Sequence, residues 1–147
     1  MSPELGFSVF NGFAAVGWLV LAIGVSTGNG MLRDRIAGLV WPGLLSAAYV
    51  VVLFGAMAGV FGDGAGGGDG LGSLAGVSAA FDNPWILLGA WIHYLAFDLF
   101  VGSRIAFEAD RDGVPRLWLI PVLPLTFMFG PAGYLLFLVI RPLARRR

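Results

Sequence analysis

The sequence has no cysteine, no lysine, one histidine and little charge of either sign. Without cysteine there can be no disulfide, zinc–thiolate site, iron–sulfur cluster or thiol nucleophile. Without lysine no side-chain amine is available for a Schiff base, which excludes covalent retinal attachment through that residue. One histidine cannot supply a multi-histidine metal cage within a single chain, so no metal site is expected. Charged residues make up 12% of the 147, about half the roughly one quarter usual in a soluble domain. Nine arginines balance nine acids. Outside the C-terminus the arginines are scattered among acids, which argues against nucleic acid as a partner.

What is abundant is apolar surface, at 58% of residues. No acid or base lies between Glu4 and Arg33, and none between Arg116 and Arg141. Charge-free apolar runs longer than about 18 residues read as membrane spans. The pattern predicts an all-α, integral membrane four-helix bundle forming a single domain, with spans at about 5–25, 36–60, 84–107 and 117–140. Gly28-Asn29-Gly30 ends the first span, and Arg33-Asp34-Arg35 reads as a charged connection. Asp82-Asn83-Pro84 supplies a cap and a proline for the third helix. Between spans two and three, residues 61–83 read as a flexible loop, since eight of the fifteen residues from Gly62 to Gly76 are glycine. Asp63 and Asp69 among them make too imperfect a copy of a calcium-binding turn to use. Four crossings would put five arginines (33, 35, 104, 111, 116) on one side and four (141, 145, 146, 147) on the other. That is nearly a tie under the positive-inside rule. The arginine-free acidic loop favours an outside N-terminus, and Pro121, Pro124 and Pro131 mark a fourth segment that could fail to cross.

Ionisable groups at membrane depth are costly and normally face a partner or a cavity. His93 and Asp98 are such groups in the third span. Five residues place them about 7.5 Å apart along the axis and about 140° apart around it, so each needs partners on other helices. Tyr94 stacks one turn before Asp98 and is expected to offer it a phenolic hydrogen bond. The other spans offer Asn11 with Trp18, Ser46 with Tyr49, and Thr126 beside Phe127 and Phe129. Simpler roles accompany these: interhelical hydrogen bonds for Asn11 and Thr126, interface anchoring for Trp41, Trp85 and Trp118, and close helix contact at Gly12, Gly17 and Gly24. Arg104 and Glu108 read as a solvated pair, and the arginine tail as a headgroup anchor.

The block His93-Tyr94-Leu95-Ala96-Phe97-Asp98-Leu99-Phe100-Val101-Gly102 is followed by Gly113-Val114-Pro115, by Leu125-Thr126-Phe127-Met128-Phe129-Gly130-Pro131-Ala132-Gly133, and by Arg141. Over about residues 85 to 141 these motifs closely resemble the signature of the neoxanthin-synthase-like family, the plant abscisic-acid-deficient type with its bacterial relatives. Asn11 and Trp18 are similar to its first-helix pattern. The resemblance implies carotenoid metabolism, in which an epoxide is opened to an allenic isomer with one proton delivered to oxygen and another removed from carbon. It implies no cofactor. His93 and Asp98 are the expected catalytic pair, with Asp98 as acid and His93 as base. Asn11, Trp18, Trp91, Tyr94, Phe97, Thr126 and Phe129 are the expected substrate-binding residues, and Phe100 and Phe127 would line the same apolar bundle. The expected partners are the lipid bilayer, a carotenoid-like apolar ligand and a second copy of the chain. The expected location is a bacterial cytoplasmic membrane, since the chain as given starts almost directly in its first span. Two other functions fit the same groups, namely a non-catalytic pigment- or lipid-binding protein and a small proton-coupled transporter.

Overall fold

A computed structural model describes residues 2–61 and 72–144. Most of the glycine-rich stretch, with Asp63 and Asp69, lies outside the described residues, as do Arg145, Arg146 and Arg147. Helix α1 spans Pro3–Thr27, capped at Ser2, whose hydroxyl accepts from the amide of Leu5. It ends at Gly28, whose positive φ of 72° reverses the chain. The next helix opens as a π-helix, Met31–Val40, and runs on as α2, Trp41–Met57. Arg33, Asp34 and Arg35 therefore lie within the helix, and the expected connection shrinks to the turn at Gly28-Asn29-Gly30. The side chain of Asn29 caps it by accepting from the amides of Met31 and Leu32. Helix α3, Leu74–Phe81, occupies part of the stretch expected to be a loop, with Ser73 as its cap. Helix α4, Pro84–Arg111, starts as the sequence predicts, the Asn83 side chain accepting from the amides of Trp85 and Ile86.

The expected four-helix bundle is not what forms. Past a short 3-10 turn at Arg116–Trp118, the apolar run 117–140 is two helices, α5 (Leu119–Met128) and α6 (Gly130–Ala144). The hinge is Phe129, with φ −147° and ψ 69°. Pro131 has no amide to give to the Phe127 carbonyl, and its ring would clash with that carbonyl if α5 ran on unbroken. Contacts along the two pieces show that the chain doubles back. Arg116 donates to the Ser26 carbonyl at the end of α1, and Phe127 meets Trp18 further up α1. Gly130 then lies against Asp98, midway along α4, and Arg141 returns to Glu108 and Asp112 near the end of α4. At about 1.5 Å per residue, α5 and α6 rise about 15 Å and 22 Å, short of a hydrocarbon core of about 30 Å. Among the described residues, three helices are long and apolar enough to cross a membrane: Pro3–Thr27, Met31–Met57 and Pro84–Arg111.

The buried core divides accordingly. One cluster joins Ala14, Leu45, Val52, Leu88, Ile92 and Ala96 from α1, α2 and α4. The other adds residues of α5 and α6, including Leu119, Val122, Phe137 and Ile140, to Leu21, Ala37, Leu99 and Ile105. The hairpin therefore fills only one half of the bundle. All six described arginines lie at that end, and Glu4 and Asp82 lie at the other. Glu108 and Arg104 are more than a solvated pair, because Glu108 also binds Arg141, which reaches Asp112 as well. Trp41 is likewise no interface anchor. Its indole donates to the Phe13 carbonyl over 2.7 Å, and its ring stacks on that residue inside the bundle.

The hairpin depends on two glycines. A Cβ at Gly133 would overlap the Thr126 hydroxyl and lie 2.5 Å from the Thr126 Cα, so α5 and α6 meet backbone to backbone. Gly133→Ala is expected to lower stability by about 1–3 kcal/mol, the usual penalty for overpacking. Thermal unfolding in detergent measures this, and an unchanged Tm would contradict the close packing. Gly17 and Gly24 also serve close contact, against Trp41 and the Arg33 backbone, whereas Gly12 meets nothing within 4 Å.

Candidate functional site

Helix periodicity puts Trp91, Tyr94 and Asp98 on one face of α4, and Gly102 continues it one turn further. In the lower half of α4 this face is covered, the Trp18 ring lying so close to Gly102 that a Cβ there would be 2.5 Å from Trp18 Cη2. In the upper half it is open: Trp91 is 40% exposed and Tyr94 61%. The boundary is the tip of the α5–α6 hairpin. Asp98 is half-buried there, and a Cβ at Gly130 would overlap one of its carboxylate oxygens. Only glycine admits a carboxylate at this point, where α6 begins and the positive end of its helix dipole favours negative charge. Among the described residues, Asp98 forms no ion pair.

The result is a shelf. Its floor is the hairpin tip, where Phe127, Met128 and Phe129 are exposed. Its back wall is the upper face of α4, and its side wall is α1. The two walls are joined by a hydrogen bond from the Trp91 indole to the Asn11 side-chain oxygen, at 3.2 Å, while the Asn11 amide donates to the Phe7 carbonyl at 2.7 Å. Phe7 packs on Trp91 from the same side, with ring centroids 5.5 Å apart. Asn11 thus fixes the Trp91 ring about two turns above Asp98. Trp18 meets Phe127 edge-on at 5.4 Å and closes the lower corner.

His93 belongs to another face. Its ring stacks on Phe97 at 4.6 Å and tilts against Tyr49 of α2 at 5.4 Å. The described contacts of His93 and Asp98 therefore involve different helices, α2 for one and α6 for the other. The phenol–carboxylate hydrogen bond expected between Tyr94 and Asp98 does not form. Asp98 turns towards Gly130, and Tyr94 stands edge-on to His93. Thr126 is fully buried and donates to the Val122 carbonyl at 2.8 Å, so its hydroxyl is committed within its own helix and packed under Gly133. Ser46 is exposed and takes no part.

Of the residues expected to bind substrate, Asn11, Trp91, Tyr94 and Phe129 surround the shelf with Asp98. Trp18 lies below it, Phe97 beside His93, and Thr126 inside the hairpin. Gly130, not singled out from sequence, is what lets the hairpin tip reach Asp98. Its signal in the sequence was its place in Gly130-Pro131-Ala132-Gly133, within one of the motifs that carry the family resemblance.

Comparison with known families matches residues 5–137 to the family model described as ABA DEFICIENT 4-like. No curated protein and no solved structure matches the chain.

Proposed function

The chain belongs to the ABA DEFICIENT 4-like family, and from that premise we propose that it isomerises a carotenoid-like substrate in a membrane by acid–base chemistry. The observation that carries the proposal is the position of Asp98. An acid midway along an apolar helix, opposite a helix break and facing an aromatic shelf, is an expensive arrangement for a purely structural role. Opening an epoxide to an allenic alcohol conserves electrons, so proton transfers suffice. In this reading Asp98 delivers a proton to the oxygen and leaves as carboxylate, held against the start of α6. A second group takes up the proton lost from carbon; His93, packed against Tyr49 and Phe97 on the neighbouring face, serves only if its ring turns towards the shelf. Trp91, fixed by Asn11, and Phe129 provide flat apolar contact for a polyene, and Tyr94 stands near enough to orient its oxygenated end.

The same proposal gives a membrane arrangement. Helices α1, the π-helix with α2, and α4 cross, while α5 and α6 enter and leave on one side. All six described arginines then share a side, which the positive-inside rule assigns to the cytoplasm, and Glu4 and Asp82 face outwards. The near tie of a four-crossing arrangement disappears.

A second reading is favoured by the openness of the shelf. Trp91, Tyr94 and Phe129 are all exposed, as suits a protein that holds a pigment and presents it to another membrane enzyme. One experiment separates the two. The full chain is purified from membranes containing epoxy-carotenoids, and the bound material is read by absorbance and mass spectrometry. Its conversion is then followed in complete membrane extract. The expected result is a bound polyene and an isomer of unchanged mass. A bound polyene with no conversion in the extract would leave the presenting role, and neither binding nor conversion would overturn both.

A further inference from the structure

A second feature lies about 15 Å along α4 from Asp98, by helix rise, at the arginine-bearing end. There a cleft of about 270 Å³ opens between the end of α1, the π-helix, the end of α4 and the loop that leads to α5. Val25, Ala106, Ala109, Val114 and Leu119 form apolar walls, and Arg33, Asp110 and Arg116 bring charge to it.

The two arginines are held differently. Arg33 is only 7% exposed, and two carboxylates satisfy it. Asp34, which does not line the cleft, grips it at 2.6 and 2.9 Å, and Asp110 meets its Nη1 at 3.0 Å. Arg116 has no carboxylate among the described residues. Its Nη1 donates to the Ser26 carbonyl at 3.1 Å, which fixes the guanidinium beside the α1 terminus without neutralising it. With Asp34 counted, the two arginines and two carboxylates here are balanced, and the cation left without a carboxylate is Arg116, an anchored guanidinium over apolar walls. Guanidinium groups pair preferentially with planar or tetrahedral oxyanions through two parallel N–H donors.

We propose that this cleft binds a phosphate group, with Arg116 as the pairing cation and Arg33 as the buried charge that shapes the floor. The phosphate arrives either on an anionic phospholipid, whose glycerol and chain ends would lie along Val25, Val114 and Leu119, or as a free ion. In the membrane arrangement above, the cleft sits at headgroup level on the side where anionic lipids concentrate.

Native mass spectrometry of the full chain in detergent, with phosphatidylglycerol, phosphatidylcholine or inorganic phosphate added, tests this. Wild type is expected to retain one phosphatidylglycerol in preference to phosphatidylcholine. Arg116→Gln should reduce that occupancy about tenfold, the worth of one charge-assisted contact. Arg116→Lys, which keeps the charge, should retain most of it and so separates lost binding from lost folding. Arg35→Gln removes an exposed arginine that, among the described residues, pairs with no carboxylate and does not line the cleft, and it should leave occupancy unchanged. If inorganic phosphate alone raises Tm through Arg116 while phosphatidylglycerol does not bind, the site stands and its ligand is the free ion. Equal occupancy in wild type and Arg116→Gln, with no Arg116-dependent response to phosphate, overturns the proposal. Equal losses in Arg116→Gln and Arg35→Gln overturn it too, since they would mean diffuse attraction to the arginine-rich face.

Discussion

Replacing Asp98 by Asn is expected to lower conversion of an epoxy-carotenoid by about 10²-fold or more while leaving pigment binding intact. General acid catalysis contributes about 10²–10⁴-fold in rate, and an amide of the same shape cannot supply the proton. The substitution preserves volume against Gly130, so the hairpin tip stays where it is. Gly130→Ala approaches the same group from the other side. It keeps the carboxylate but pushes it away from the tip, and conversion should fall without loss of the acid itself. His93→Ala should also reduce conversion if that ring takes up the second proton. If it only stacks between Tyr49 and Phe97, its removal costs about 0.5–1.5 kcal/mol in stability and leaves turnover in place. Turnover by Asp98→Asn at the wild-type rate would end the acid role altogether, whatever His93 does.

The second large effect is all-or-none. Three crossings and a returning hairpin put Ser2 and Leu143 on opposite sides of the membrane, whereas four crossings put them on the same side. The absence of native cysteine makes the measurement clean, because every single-cysteine variant carries one thiol. In intact cells an impermeant maleimide is expected to label Ser2→Cys and Ser78→Cys. Arg35→Cys and Leu143→Cys should react only after permeabilisation. Leu143 is 78% exposed and Ser78 is exposed on α3, so accessibility within the fold does not limit the reaction. Labelling of Leu143→Cys from outside, together with Ser2→Cys, would show that α5 and α6 cross as one segment.

Much of this fold was legible in the sequence, and what was hidden has physical causes. The turn at Gly28-Asn29-Gly30 and the Asn83-Pro84 start of α4 were visible because capping is local chemistry. The hairpin was not, because hydropathy over 117–140 is the same for one crossing helix as for two half-depth ones. Pro131 was a visible warning, but the contact that sets the fold joins Gly130 to Asp98 across 32 positions. Arg33 and Asp34 read as a connection because charge usually marks solvent. Side-chain pairing with Asp34 and Asp110 lets the guanidinium lie buried inside a helix instead. At the site, His93 and Asp98 could be placed on different faces by counting residues. Tyr94 at one turn from Asp98 suggested a bond that tertiary packing at Gly130 overrides. The Trp91–Asn11 bond joins residues 80 apart, and no local pattern announces it.

Because the hairpin stops at Gly130, a section through the molecule at Glu108 cuts five helices, and one at Trp91 cuts three, among the described residues. Such a body is a wedge. Seated in a bilayer as proposed, it would displace more lipid from one leaflet than from the other and would be accommodated most easily where the membrane curves towards its narrow end. In the proposed membrane arrangement the notch beside Trp91 would be filled by acyl chains whenever no other ligand is there. A long apolar molecule would reach Asp98 by sliding sideways out of the lipid, with no passage through water.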